Sequence, residues 1–253
     1  MTNKLVYFVG NWKMFGDLKS IKVIKSVDKF YKKFSKGNKK NKLVFCVPYT
    51  LINFFTRSLK SRHISIGGQN CHHDSNYGPF TGSVNASMLK NSGAKYVILG
   101  HSEKRAEGDT NQIIKKKIKS ALEKKLKVIF CIGETSRDNK NKKTFLVLKK
   151  QIRDSLDKKF DIEKIIIAYE PIWSIGTGKV PKIDELQKTF KFIKKYLKIH
   201  YKPKSDPSIL YGGSVNEKNI SMFSKIYDIN GFLIGGSSQS SKKFIDIIRN
   251  YYK

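Results

Sequence analysis

Eight short apolar runs recur along this chain, and their number and character limit its fold more than any other feature. They cover residues 5–11, 43–47, 64–70, 96–100, 128–133, 165–170, 209–213 and 231–236. Each has the length and the β-branched or aromatic content of a strand. Most are apolar almost without alternation, as strands covered on both faces are. Amphipathic helical patterns separate them. Leu18, Ile21, Ile24, Val27, Phe30 and Phe34 follow Asp17, a residue able to cap a helix N-terminus. Leu186, Phe190, Ile193 and Leu197 repeat the pattern, as do Phe244, Ile248 and Tyr251 near the end. Lysines fill the opposite faces.

Strand–helix alternation with continuously apolar strands predicts a parallel sheet covered by helices. Eight such units in 253 residues fit a closed parallel (β/α)8 barrel, one α/β domain over residues 1–253, better than an open doubly wound sheet. A dinucleotide-binding sheet would carry a glycine fingerprint after its first strand. Here "GNWKMFG" stands in that place.

The charge is lopsided, with 51 basic and 20 acidic residues and a net of +31. Such a sum raises nucleic acid or an acidic membrane as partners. The detail argues against a specific nucleic-acid site: 45 of the basic residues are Lys and only six are Arg, spread over all the helical faces. No run approaches the roughly 18 apolar residues of a membrane span. The apolar start is too short for a signal peptide. Three widely spaced cysteines, Cys46, Cys71 and Cys131, fit neither a metal pair nor a disulfide framework. These features predict a soluble cytoplasmic protein with reduced thiols.

In such a barrel the working residues gather at the C-terminal ends of the strands. The first run ends in Asn11 and Lys13, whose spacing on an extended chain would place both on one side and Trp12 on the other. The fourth ends in His101, Ser102 and Glu103, the fifth in Cys131, Gly133 and Glu134, and the sixth in Glu170. The seventh and eighth end in "GGS" (Gly212, Gly213, Ser214) and in Gly235 and Gly236. Taken singly these are ordinary: a surface lysine, a hydrogen-bonded histidine, a packed cysteine, glycines that turn the chain. "GTGK" lacks the earlier glycine of a P-loop, since position 173 is Trp. "CHHD" (Cys71 to Asp74) reads as loop, because adjacent histidines share a tetrahedral ion poorly. Taken together they make a site. Glycine turns expose N–H groups that cradle phosphate, and a carboxylate across from an imidazole is placed to move protons.

These motifs, in this order, resemble the triosephosphate isomerase family. The likeness runs through "GNWKM", "GGQN", "FTG", "GAKYVILGHSEKR", "CIGE", "AYEPIWSIGTGK", "YGGSV" and "GFLIGGSS", nearly the whole chain. It implies an isomerase of glycolysis and gluconeogenesis. Such an enzyme interconverts dihydroxyacetone phosphate and D-glyceraldehyde 3-phosphate through an enediolate, with no metal and no organic cofactor. Glu170 would be the base. His101 would polarise the carbonyl as a neutral imidazole, a tuning for which this family is itself a standard example. Lys13 would offset the substrate's charge, and Asn11 would hydrogen-bond a substrate oxygen. The phosphate would rest on the N–H groups of Gly176, Ser214, Gly235 and Gly236. Glu103, Glu134, Trp173 and Tyr211 would support them, Trp173 meeting Glu134 when a lid after Glu170 shuts. The resemblance also implies a homodimer, with the Thr81 loop of one subunit packed beside Asn11 and Lys13 of the other.

The chain departs from the family pattern in three places. Pro181 stands where many relatives have an alanine whose N–H bonds the tyrosine of the "YGGS" turn, here Tyr211. This predicts a lid latched differently, with the Ser214 contact carrying more of closure. Lys104 and Ser83 replace an arginine and an acid of the interface, and the segment after Arg105 is one residue short. These changes predict a dimer held more by packing than by ion pairs. Two rival readings are another phosphate-binding barrel enzyme and a basic scaffold for polyanions. A Schiff-base aldolase would need a lysine in the sixth strand, and "IIIAYE" has none. A polyanion scaffold gives no reason for Glu170, His101 and Lys13 to coexist.

Overall fold

The computed structural model describes residues 5–35, 40–59, 61 and 63–253. All eight runs form strands: β1 (Val6–Asn11), β2 (Asn41–Cys46), β3 (Ile64–Gly68), β4 (Tyr96–Leu99), β5 (Lys127–Ile132), β6 (Ile165–Tyr169), β7 (Ile209–Tyr211) and β8 (Gly231–Ile234). Each pairs in parallel with the next, and β8 returns to β1 to close the barrel. The chain has the closed (β/α)8 architecture. Among the described residues no helix is long and apolar enough to cross a membrane.

The two-residue period of a strand sorts its side chains into two cores. Tyr7 and Val9 of β1 join Ile129 and Cys131 of β5 and Leu210 of β7 in a cluster inside the barrel. Val6 and Phe8 instead join the helices in an outer cluster. Both faces are buried, which is why the strands read as unbroken apolar runs. Each fully buried Val, Leu or Ile contributes about 1.5–3 kcal/mol.

The register places the site. Cys131 lies beside Ala168, Ala168 beside Leu210, and Val9 beside Leu233. Two residues further along each of these chains stand Gly133, Glu170, Gly212, Asn11 and Gly235. The level above the apolar interior therefore holds one carboxylate and one amide among glycines. The Glu170 N–H extends the ladder by donating to Ile132 O at 2.8 Å.

The helices differ from expectation in one place. Asp17 does cap, in a reciprocal box with Ser20, but the first turn (Leu18–Ser20) is a 3-10 helix that leaves Leu18 exposed. The following helix, Ile21–Phe34, buries Ile21, Ile24 and Val27 as its spacing predicts. It then turns Asp28 and Tyr31 inward, while Phe30 and Phe34 are half-buried. The helices Ile183–Tyr201 and Ser241–Tyr251 bury the residues expected, Tyr251 only partly. Between β7 and β8 the connection is a 3-10 helix, Ile220–Lys225.

Candidate active site

Glu170 sits at the mouth with only 4% of its surface exposed. Glycines make room for it. A Cβ on Gly133 would lie 1.8 Å from the Glu170 carbonyl oxygen, and one on Gly212 would lie 2.6 Å from its Cγ. Glu170 Oε1 faces His101 Nε2 at 3.6 Å, and Oε2 has no hydrogen-bond partner among the described residues. Below the carboxylate, Cys131 packs in the barrel interior; burial first, then the neighbouring Glu170 charge, pushes its thiol pKa well up.

His101 follows Gly100, whose positive φ of 74° turns the chain sharply out of β4. It caps the short helix Ser102–Ala106 with its own ring, Nδ1 accepting from the Glu103 N–H at 3.3 Å. That bond assigns the ring proton to Nε2, the nitrogen that faces Glu170 and the mouth. Arg105 ties the ends of β4 and β5 together, donating to Gly100 O at 2.7 Å and Cys131 O at 3.2 Å.

Asn11 and Lys13 do reach the same mouth, though not by an extended backbone. Lys13 has φ of 55°, the left-handed region that residues with a Cβ rarely adopt. Its N–H donates to Asn11 Oδ1 at 3.2 Å, and Gln69 Nε2 donates to Lys13 O at 2.9 Å. Lys13 Nζ donates to Glu103 Oε1 at 2.6 Å. Burial alone would raise the Glu103 pKa, but the Lys13 hydrogen bond, with the charges of Lys13 and Lys104, outweighs it and holds the carboxyl below its ordinary range. Trp12 points away, fully buried, its indole N–H donating to Ser238 O at 3.1 Å.

The segment 171–181 arches from β6 to the turn after β7. On its near side Trp173 Nε1 donates to Glu134 Oε1 at 3.0 Å, and the buried Glu134 also accepts from Tyr169 OH at 3.1 Å. On its far side the Gly178 N–H donates to Ser214 Oγ at 3.0 Å, which donates onward to Ser174 O at 2.6 Å. Tyr211 also touches this segment, beside the Ser214 contacts expected to carry more of closure where Pro181 has no N–H. Its hydroxyl lies 3.0 Å from Ser174 Oγ. A side-chain hydroxyl stands as the partner of Tyr211 in place of the missing backbone N–H. Of the four expected phosphate donors, Gly176, Gly235 and Gly236 border open space. The Ser214 N–H is turned instead onto Ser174 Oγ at 3.3 Å.

The residues expected at the mouth are therefore all brought there, Glu103, Glu134, Trp173 and Tyr211 included. Ser174, Gln69 and Tyr169 join them without having been singled out. Ser174 left a faint trace, a hydroxyl between Trp173 and a glycine turn; Gln69 was visible only inside "GGQN". His72, His73 and Asp74 bring ligand atoms within 4.8 Å of one another, in the loop before Thr81 and outside the mouth. His72 Nδ1 already accepts the Asp74 N–H at 3.2 Å. Lys104 pairs with Glu107 in its own helix turn, at 2.5 Å.

A closed barrel with a buried carboxylate facing an imidazole, beside a lysine and glycine turns, defines an enzyme of the (β/α)8 class. Comparison with known proteins narrows the class. The triosephosphate isomerase family model matches residues 6–251. The triosephosphate isomerase of Dictyoglomus turgidum is 37% identical over 99% of this chain and 100% of its own length. That of Dictyostelium discoideum is 40% identical over 99% and 98%. The crystal structure of the Bartonella henselae enzyme superposes with a TM-score of 0.88 at 33% identity, covering 98% of this chain and 99% of that one. The chain belongs to the triosephosphate isomerase family.

Proposed function

We infer that Glu170 is the base by which this isomerase interconverts dihydroxyacetone phosphate and D-glyceraldehyde 3-phosphate. The observation that carries the reading is Glu170 Oε1 opposite His101 Nε2, with Oε2 free of hydrogen bonds among the described residues. Glu170 takes a proton from the carbon beside the carbonyl, leaving an enediolate, and returns it to the neighbouring carbon. His101 Nε2–H donates to the oxygen that gains charge. Lys13 offsets that charge, and Asn11 holds a substrate oxygen. Gly176, Ser214, Gly235 and Gly236 supply N–H groups to the phosphate, which the positive field of the chain helps to attract. Segment 171–181 acts as a lid that excludes water and keeps the enediolate from losing phosphate. Conversion in D2O tests the chemistry: some product with deuterium on the carbon beside the carbonyl is expected, because part of the proton held by Glu170 exchanges before its return, and a Glu170→Gln variant that incorporates deuterium as fast as wild type would overturn Glu170 as the base.

The working unit is a homodimer of single-domain barrels, residues 1–253. Met14, fully exposed, and Phe15 beside Lys13, and Tyr77 and Phe80 in the loop that carries Thr81, are exposed apolar side chains that a second copy would cover. We assign the enzyme to the cytoplasm, where its three buried free thiols, Cys46, Cys71 and Cys131, would remain reduced.

A further inference from the structure

Ser174 is fully buried at the near end of the lid, in the 3-10 turn Ile172–Ser174. Its hydroxyl makes three contacts, one with the far end of the lid and two with the end of β7 and the turn after it. It donates to Lys179 O at 2.6 Å, at the far end of the lid. It lies 3.0 Å from Tyr211 OH, at the end of β7, and accepts the Ser214 N–H at 3.3 Å. A serine hydroxyl has one proton and two lone pairs, so these contacts use it completely. With its proton committed to Lys179, Tyr211 is the donor to Ser174. The Ser174 carbonyl is engaged as well, accepting from Ser214 Oγ at 2.6 Å. Beyond Lys179 the chain reaches Pro181, which is buried and has no N–H to give. Besides the Gly178 N–H that donates to Ser214 Oγ, the far end of the lid is thus held through an acceptor, the Lys179 carbonyl, and the Ser174 hydroxyl is the donor it meets.

We propose that Ser174 is a positioning residue for isomerisation: its hydroxyl latches both ends of the lid to the turn after β7, and it yields the Ser214 N–H to the substrate phosphate. The proposal rests on the isomerase reading above. When phosphate claims that N–H, Ser174 keeps Tyr211 and Lys179, so the latch survives substrate binding. Removing the hydroxyl leaves the Tyr211 hydroxyl and the Lys179 carbonyl without partners while freeing the Ser214 N–H. Lid closure and phosphate affinity should therefore separate, which a general loosening of the fold would not do.

The test compares Ser174→Ala, Tyr211→Phe and the double variant with wild type. Ser174→Ala is expected to lower kcat about tenfold or more, since a buried donor and acceptor are left unmade. Inhibition by inorganic phosphate should be no weaker than in wild type, and the share of turnovers that release phosphate from the enediolate should rise. Trp173 emission should shift toward that of a solvent-exposed indole, with the thermal midpoint little changed. Tyr211→Phe alone should cost less, and adding it to Ser174→Ala should cost nothing further, because its hydroxyl has already lost its partner. Wild-type kcat and wild-type Trp173 emission in Ser174→Ala would overturn the proposal. So would a loss of phosphate affinity that matches the loss in kcat. A folded wild type that fails to isomerise would instead defeat the functional reading, and Trp173 emission would then decide the latch alone.

Discussion

The indole N–H of Trp173 donates to Glu134 Oε1 at 3.0 Å, joining the lid to the end of β5. Glu134 is fully buried and shares its carboxylate with Tyr169 OH. Trp173→Phe keeps the ring but deletes the donor. Steady-state kinetics should show kcat lowered by about tenfold, the scale of one hydrogen bond to a buried carboxylate. Unchanged kcat would remove this contact from closure.

Gly212 and Gly133 flank Glu170 with different consequences. The atoms nearest to a Cβ on Gly212 all belong to the Glu170 side chain, with Cγ at 2.6 Å, so Gly212→Ala should displace the base without harming the fold. A drop in kcat of about 100-fold with an unchanged thermal midpoint is expected, as for a misplacement of roughly 1 Å.

Gly133→Ala should act the other way. Its Cβ would fall 1.8 Å from the Glu170 carbonyl oxygen, a backbone atom that cannot step aside. Overpacking of about 1–3 kcal/mol should lower the thermal midpoint by several degrees, read by calorimetry.

Lys13 and Glu103 give a pH dependence of definite sign. The folded Glu103 pKa lies below its ordinary value of 4.5, so the pair stabilises the fold above that value and loses its contribution as pH falls through the lower, folded one. Glu103→Gln should therefore melt below wild type at neutral pH, with the gap closing in acid. The gap should be small, because the Glu103 side chain is 54% exposed. A gap that widens in acid would contradict the pairing.

The barrel was legible because strands covered on both faces cannot hide: all eight appear as apolar runs bounded by glycine or polar residues. Glu170 and Asn11 were legible too, since a strand's period carries the inward face one step past Ala168 and Val9. The left-handed turn at Lys13 was not, because spacing alone implies an extended chain and the bonds from Gln69 and Asn11 arise only on folding. Ser174 stayed hidden for a related reason. Its partner Tyr211 lies 37 residues away, and a lone serine carries no periodic signal. In the first helix, spacing could not foresee the 3-10 turn that shifts its phase, leaving Leu18 exposed and Tyr31 buried.

The exposed apolar side chains of Met14, Phe15, Tyr77 and Phe80 predict that the proposed dimer holds by packing, with Lys104 paired to Glu107. Sedimentation at micromolar protein should show a dimer that persists from about 0.05 to about 0.5 M salt, a range over which exposed ion pairs are largely screened. An active monomer would contradict this.

The most direct test of Glu170 as the base is isomerisation of D-glyceraldehyde 3-phosphate in metal-free buffer by wild type beside Glu170→Gln. Glutamine keeps the volume and removes the basic oxygen. Rapid turnover by wild type and a fall of about 10²- to 10⁴-fold or more in the variant, with the fold intact, is the expected result. Equal turnover by the two proteins would contradict it.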